Sequence, residues 1–233
     1  MRRIARYLLV TVAVLGLVVA ALPYGLYCAA LNSLGALPTE PTHLYPSRVT
    51  RAAWVINGGT ATMVTRDTGP WDLLLAFTSD RPLEQTRHLR NASIAARYWR
   101  LGHEKGDAST LHRHLQEAAL ALWINRHWSA AAIVTSGLSN AYYGHGTQGL
   151  DAAARRYFDL PVSELQPNEL AILLNLTRGP SRFDPWCQPQ RALQASLQLE
   201  AILGAEPRIG AVPVSLADYA LRLRPAPEGS CAG

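Results

Sequence analysis

The chain has 233 residues, which is room for one domain, or for one domain and an anchor. Hydrophobic residues make up 48% of it, and this excludes a chain that is disordered for lack of apolar side chains. The formal charge of 22 − 17 = +5 suggests an anionic partner, although Lys105 is the only lysine. Three cysteines, none of them in a CxxC pair, exclude a disulfide scaffold and the common zinc and redox motifs.

The N-terminal segment predicts a membrane anchor. Arg2, Arg3 and Arg6 precede residues 7–27, which contain no charged side chain. About 20 apolar residues span a bilayer as a helix, whereas the apolar region of a secretory signal has roughly 7–15. We therefore expect residues 1–30 to be a cytoplasmic flank and a transmembrane anchor. The arginines place the N-terminus in the cytoplasm, with the rest of the chain on the other side.

The remaining chain divides into a linker, a domain and a tail. Residues 31–50 are rich in proline and predict a linker, 51–226 the domain and 227–233 a tail. The three arginines of the flank leave 19 − 17 = +2 for the outer part, which is not the charge of a nucleic-acid-binding protein. In an oxidising compartment Cys187 and Cys231 can pair; the alternative is that both are free.

The outer domain is predicted to be mainly α-helical with a small N-terminal β-hairpin. Trp54–Ile56 and Thr60–Val64 flank Asn57-Gly58-Gly59, a strong turn signal between two strands. After it the periodicity is helical. The predicted helices are Ala92–Leu101, a helix with the buried stripe Leu111, Leu115, Ala118, Ala119 and Leu122, Ala130–Leu138 capped by Ser129, Leu150–Phe158, one that begins at Pro167 and runs to Leu176, Gln188–Leu203 and Leu216–Leu223.

The most specific pattern lies in Tyr143–Pro185, which reads YGHGTQGLDAAARRYFDLPVSELQPNELAILLNLTRGPSRFDP. Ala153-Ala154, Tyr157-Phe158 and Glu169 are spaced there as in glycosyltransferase family 51. LHRHLQEAALALW and SAAAIVTSGLSN upstream are similar to two further helices of this family of peptidoglycan glycosyltransferases and monofunctional biosynthetic transglycosylases. The resemblance covers residues 111–186 and implies a lysozyme-like helical fold. Because no SxxK serine motif follows, it implies the monofunctional form.

The resemblance also implies a location and partners. The family joins lipid-linked disaccharide-peptide units into glycan strands, which implies lipid II or a glycan strand as the partner. The implied location is the bacterial inner (cytoplasmic) membrane, crossed once, with the domain on the periplasmic side and other cell-wall synthesis proteins as further partners. No cofactor is implied beyond a divalent metal such as Mg²⁺ at the substrate phosphates, and no metal ligands are expected in the protein.

The first catalytic motif of the family departs most from this chain. In the family a glutamate takes the proton from the acceptor sugar hydroxyl. Alignment of LLLAFTSDRPL places Ser79 at that position, beside Asp80. A serine hydroxyl cannot act as a carboxylate base at neutral pH. Asp80 or the more distant Glu84 could act only in a shifted register.

The second motif keeps a serine and gains arginines. Within RNASIAARYWRL, Ser93 matches the family, Arg97 stands at a glutamine position and Arg100 at the lysine position. A guanidinium fork suits phosphate, so Arg97 and Arg100 are candidate substrate-binding residues together with Ser93. The alternative is a solvated helix face.

The third motif is closer to the family pattern than the first two. Glu117 matches the second catalytic glutamate of the family, with Arg113 and His114 at its two basic positions. Arg113 lies four residues before Glu117, so the two share a helix face, and an exposed ion pair is the alternative to a site. Asn125 and Thr135 stand where the family carries glutamates.

These changes predict the function. The residues that shape the fold are retained, while several that carry the chemistry are replaced. We therefore expect a membrane-anchored transglycosylase-like domain with impaired catalysis, a pseudoenzyme. One alternative is an active peptidoglycan glycosyltransferase that uses Asp80 or Glu84 with Glu117. The other is a non-catalytic, membrane-tethered interaction module.

Overall fold

The computed structural model describes residues 2–59, 62–77, 80, 86–103, 109–204 and 222–231. Within these residues the fold is helical, and the one β pairing is an isolated bridge between Tyr142 and Gln148. Two short 3₁₀ turns lie at Arg87–Leu89 and Val162–Glu164. The described α-helices are α1 (Arg2–Asn32), α2 (Ser47–Ile56), α3 (Pro70–Phe77), α4 (Arg90–His103), α5 (Thr110–His127), α6 (Ala130–Asn140), α7 (Leu150–Phe158), α8 (Pro167–Leu176) and α9 (Pro189–Gly204).

The predicted β-hairpin is wrong for the residues that the structure describes. Trp54–Ile56, predicted as a strand, forms the last turn of α2, and residues 62–64 are not in a strand. The Asn57-Gly58 pair ends the helix, with Gly58 at φ +89° donating its N–H to a carbonyl of the last turn. A glycine in the left-handed region terminates a helix as readily as it closes a hairpin, which explains the misleading signal.

The N-terminal helix fits the predicted anchor by length and composition. One span, Arg6–Asn32, is long and apolar enough to cross a membrane. Its C-terminal part contacts the domain: Trp71 Nε1 on α3 donates to the carbonyl of Ala20 at 2.9 Å. Just beyond α1, Gln116 Nε2 on α5 donates to Ser33 Oγ at 3.0 Å. The end of α1 thus packs along α3 and α5.

Two apolar clusters form the core. The larger joins α2, α6, α7, α8 and α9 and contains the fully buried side chains of Trp54, Tyr143 and Tyr157. The smaller joins α4, α5 and α6 around Leu120 and Ile124. Fully burying a large apolar side chain contributes about 1.5–3 kcal/mol. Because α4 and α5 meet in the smaller cluster, their other faces are available for the site.

The buried stripe predicted for α5 is right only in its second half. Leu111 and Leu115 are 69% and 39% exposed, whereas Ala119 and Leu122 are buried. The predicted helix is confirmed, but its first turns extend beyond the core. Periodicity indicates the face of a helix that is apolar, and it does not indicate how far along the helix the core reaches.

Helix starts marked by capping residues are confirmed. Ser129 Oγ accepts the N–H of Ala132 at 3.2 Å at the start of α6. The Glu169 carboxylate accepts the N–H of Gln166 at 2.7 Å, which completes a capping box at the start of α8. The helix predicted over 216–223 lies mostly outside the described residues.

The C-terminal strap, residues 222–231, is fixed against the core. Cys231 is bonded to Cys187, so the pairing that the sequence left open is made. The Arg224 N–H donates to a carbonyl of α7 at 2.8 Å, and Trp186 Nε1 donates to the carbonyl of Arg224 at 2.7 Å. The strap therefore has contacts with the body that do not depend on the disulfide.

Candidate functional site

A groove of about 1200 Å³ lies between α3, α4 and α5 and brings three of the predicted site residues together. Ser93 enters from α4, and His114 and Glu117 enter from consecutive turns of α5. Apolar and basic side chains make up most of the remainder. The lining residues are Leu73, Thr86, Arg87, Leu89, Arg90, Ser93, His114, Glu117, Ala118 and Ala121.

Glu117 forms an ion pair across two helices. Its Oε2 lies 3.7 Å from Nη2 of Arg100 on α4, and the side chains of Glu117 and Arg100 are 26% and 11% exposed. At this distance the contact is electrostatic rather than a hydrogen bond. Partial desolvation strengthens the attraction relative to a fully exposed pair. Arg113, the basic residue expected beside Glu117, is exposed on α5.

A second cavity of about 530 Å³ lies on the adjoining face of α4 and shares Arg90 with the groove. We call it the arginine cavity. Arg97 lines this cavity together with Arg178, which follows α8, and Asn57 and Thr177 supply polar groups. None of the described residues that line it carries a carboxylate, so its three guanidinium groups give it a strong positive charge. The composition suits a phosphate or diphosphate.

The region of the first motif contributes little to the described site. Asp80 is exposed, and Ser79 and Glu84 lie outside the described residues. Glu117 is the one carboxylate among the described residues that line the groove.

Carboxylates in the adjoining cavity of about 430 Å³ have structural partners. Asp67 Oδ1 lies 3.1 Å from Arg126 Nε, and Asp72 Oδ2 accepts the N–H of Gly69 at 2.6 Å. The first contact joins the segment that precedes α3 to α5, and the second closes the turn at the start of α3. Both carboxylates therefore help to form the wall beside the groove.

Asn125 and Thr135, which the resemblance aligns with glutamates, have neutral structural roles here. Asn125 is buried and its Nδ2 donates to the carbonyl of Arg66 at 2.6 Å. Thr135 is buried and its Oγ1 accepts the N–H of Tyr45 at 3.3 Å. Both hydrogen bonds tie loops to helices, so neither position supplies a charge to a site.

Glu169 links the strap to the start of α8. Glu169 is buried at the start of α8, and its Oε1 lies 3.0 Å from Arg222 Nε of the strap. Burial raises the pKa of Glu169, and the Gln166 N–H and the Arg222 charge partly offset this.

Sequence reasoning missed Arg87, Arg90 and Arg178. Arg178 stands directly before Gly179-Pro180, a segment that predicted only the end of a helix. Since residues that follow a buried helix emerge at the surface, a basic residue at that point was the available signal. Arg87 begins a 3₁₀ turn that has no sequence signature, and Arg90 follows it at the start of α4.

Comparison with known proteins confirms the resemblance seen in the sequence. Residues 92–203 match the family model described as Transglycosylase. Penicillin-binding protein 1A of Aquifex aeolicus is 40% identical over 85 residues, which are 36% of this chain and 12% of that protein. Penicillin-binding protein 1A of Mycolicibacterium smegmatis is 34% identical over 92 residues, or 40% of this chain and 12% of that protein.

A third relative gives the same picture. Penicillin-binding protein 1B of Vibrio cholerae is 36% identical over 87 residues, which are 36% of this chain and 11% of that protein. The match thus spans only about an eighth of the length of these relatives. The matched region contains the helices that carry Ser93, Arg100 and Glu117. Residues 92–203, just under half of the chain, therefore match the transglycosylase family.

Proposed function

We propose that the chain is a membrane-anchored transglycosylase-like domain that binds lipid II or a glycan strand and has lost most or all of its polymerising activity. The observation that carries this proposal is that the described site contains several arginines and few carboxylates. Three arginines line the arginine cavity, and among the described residues Glu117 alone brings a carboxylate to the groove beside it.

Binding is assigned to the basic residues. The diphosphate of a lipid-linked substrate carries negative charge on several oxygens, and guanidinium groups bind such oxygens in pairs. Arg97 and Arg178 contact the diphosphate from opposite walls in this proposal, with Arg90 between the two cavities. Ser93 and His114 then face the sugars in the groove. The family name of the domain supports this substrate class.

Impaired catalysis is assigned to the loss of a base. Glycosyl transfer to a sugar hydroxyl needs a group that takes its proton in the transition state. The sequence has Ser79 at the position of the base. Glu117 remains, and its partner Arg100 brings no second carboxylate to the groove. One carboxylate cannot serve both at the acceptor hydroxyl and near the departing diphosphate.

Anchoring is assigned to α1. The span Arg6–Asn32 carries Arg6 at its start and no charge after it. A lipid-linked substrate remains in the bilayer, so a domain attached to α1 has the substrate within reach. The N-terminus in the cytoplasm and the domain on the periplasmic side follow from the arginine flank.

Polymerisation of fluorescent lipid II by the full chain in detergent tests the proposal. Wild type and Glu117→Gln are compared on gels that resolve glycan strands, with and without Mg²⁺, and binding is measured in parallel by anisotropy. We expect binding by both proteins and strands from neither. Strands from wild type that disappear in Glu117→Gln would show that the enzyme is active.

The same assay identifies a base if strands form. Asp80→Asn and Glu84→Gln then remove the two remaining candidates one at a time. Loss of strands in one variant, with lipid II binding unchanged, would assign that residue. Absence of lipid II binding by the wild type would contradict the substrate proposal itself and favour an interaction module.

A further inference from the structure

A compact set of metal-ligating groups lies away from both cavities. His145, Asp184 and Cys187 each bring one ligand atom to a site where the three atoms lie within 4.8 Å of one another. Cys231 of the strap is bonded to Cys187, so its sulfur lies at the same place. Two sulfurs, an imidazole nitrogen and a carboxylate oxygen therefore converge there. The function proposed above does not use these four residues.

Local structure orients the nitrogen and oxygen ligands. His145 has φ +49° in the turn before α7, and its Nε2 contacts Asp184 Oδ2 at 2.5 Å. The other oxygen of Asp184 accepts the N–H groups of Trp186 at 2.8 Å and Cys187 at 3.2 Å. The side chains of His145 and Asp184 are only 16% and 8% exposed. Asp184 is thus held through Oδ1, and Oδ2 points at the histidine.

We propose that reduction of the Cys187–Cys231 disulfide converts this cluster into a zinc site with His145, Asp184, Cys187 and Cys231 as ligands. A dithiol reductant transfers two electrons and two protons to the disulfide, which gives two thiols and the oxidised dithiol. Each thiol releases its proton to solvent when its sulfur binds Zn²⁺. Two sulfurs, one nitrogen and one oxygen in a tetrahedron are a donor set that zinc favours.

The nitrogen and oxygen ligands need only small movements. Zinc bonds of about 2.0–2.3 Å in a tetrahedron separate neighbouring ligand atoms by about 3.3–3.8 Å. Nε2 of His145 and Oδ2 of Asp184 must therefore move apart by less than about 1 Å, and the two sulfurs separate once their bond is broken. The Oδ1 hydrogen bonds of Asp184 do not oppose this movement.

The strap keeps the second sulfur nearby after reduction. Arg222 remains paired with Glu169 at 3.0 Å, and Trp186 Nε1 remains bonded to the carbonyl of Arg224 at 2.7 Å. Cys231 is then tethered near Cys187 by the few residues that follow Arg224. Such tethering raises the effective concentration of the Cys231 thiol at the site.

Metal binding by the full chain in detergent tests the proposal. The protein is compared before and after reduction by tris(2-carboxyethyl)phosphine, which becomes the phosphine oxide. Co²⁺ reports tetrahedral sulfur ligation through its visible and charge-transfer absorption, and Zn²⁺ displaces it. We expect one Co²⁺ per reduced chain, displaced by one Zn²⁺, and binding at least a hundredfold weaker by the oxidised chain.

Variants distinguish residues that bind the metal from residues that do not. His145→Ala and Cys231→Ser are expected to weaken binding at least tenfold, and Cys231→Ser is also expected to reduce the sulfur charge-transfer band. His127→Ala is the matched control, because His127 is exposed and stacks on Trp123, and it is expected to leave binding unchanged.

Three results would overturn the proposal. The first is a reduced chain that keeps its helical circular dichroism and binds no Co²⁺. The second is equal binding by the oxidised chain or by His145→Ala. The third is a reduced chain that unfolds and does not regain helicity with Zn²⁺.

Discussion

Replacing Arg97 or Arg178 with alanine is expected to weaken binding of a lipid-linked diphosphate by about tenfold to a hundredfold each. Both guanidinium groups line a cavity of about 530 Å³ that has no carboxylate among its described lining residues. A hydrogen bond to a charged group contributes about 1.5–3 kcal/mol, and about 1.4 kcal/mol corresponds to a factor of ten in the dissociation constant. The opening of the cavity to water favours the lower part of this range.

Anisotropy of fluorescent lipid II with the full chain in detergent measures the effect. Arg191→Ala is the matched control. Arg191 lies exposed on α9, and its replacement removes the same charge from the protein. If the arginine cavity binds the diphosphate, Arg191→Ala changes the dissociation constant by less than twofold. Raising the salt concentration is expected to weaken wild type more than either cavity variant, since screening acts on the charges that the variants lack.

The reasoning would be refuted by equal effects of the three alanine variants. Equal weakening would mean that net charge, rather than the cavity, attracts the ligand. No weakening in Arg97→Ala and Arg178→Ala, with wild-type binding intact, would place the diphosphate elsewhere. Arg178→Lys adds a check, because lysine keeps the charge but loses the fork and is expected to recover only part of the affinity.

Three further predictions concern stability, each measured by thermal unfolding followed by circular dichroism. Mutating Cys187 and Cys231 together to serine is expected to lower the free energy of unfolding by about 4 kcal/mol, because the disulfide closes a loop with a sequence separation of 44. Burial raises the pKa of Glu169 above its ordinary value of 4.5. The stability that the protonated Glu169 contributes is therefore fully present below pH 4.5 and is lost as the pH rises through the raised pKa. The Tm of wild type minus that of Glu169→Gln should therefore fall between pH 4 and pH 7, and a constant difference would contradict this. Gly149→Ala is expected to cost about 1–3 kcal/mol, since φ is +88° and the new Cβ would lie 2.9 Å from a carbonyl oxygen of α6; Gly146→Ala, with φ +71° and no neighbour within 4 Å, should cost less.

Helices with explicit boundary residues were predictable. Ser129 starts α6 because its side chain satisfies an N–H group that the helix leaves without a partner, and Pro167 starts α8 because the first helical position needs no N–H donor. The first predicted strand was wrong because the turn sequence after Trp54–Ile56 is compatible with both a hairpin and a helix end. What decides between them is burial of Trp54 in the core, which is a tertiary contact.

The residues of the candidate site were predictable where they lie on helices whose sequences resemble the family. Glu117 and Ser93 were assigned by resemblance, and the structure places both in one groove. The Arg100–Glu117 pair joins two helices, so no spacing within one helix could indicate it. Arg178 lines the arginine cavity because the residues that follow α8 lie beside α4 and α6, and such a tertiary arrangement is not encoded in a local pattern.

The contacts at the end of α1 have a geometric consequence for the anchored protein that we propose. The Ala20 carbonyl in the second half of α1 accepts a hydrogen bond from Trp71 on α3. Ser33, just beyond α1, accepts one from Gln116 on α5, so this half of α1 is hydrogen-bonded to two helices that line the groove. A helix advances about 1.5 Å and turns about 100° with each residue. Inserting one residue ahead of Ala20 would therefore turn the groove by about a quarter of a revolution about the membrane normal relative to the N-terminal flank. In the anchored protein that we propose, the number of residues in α1 therefore determines the height of the groove above the bilayer and its orientation about the membrane normal.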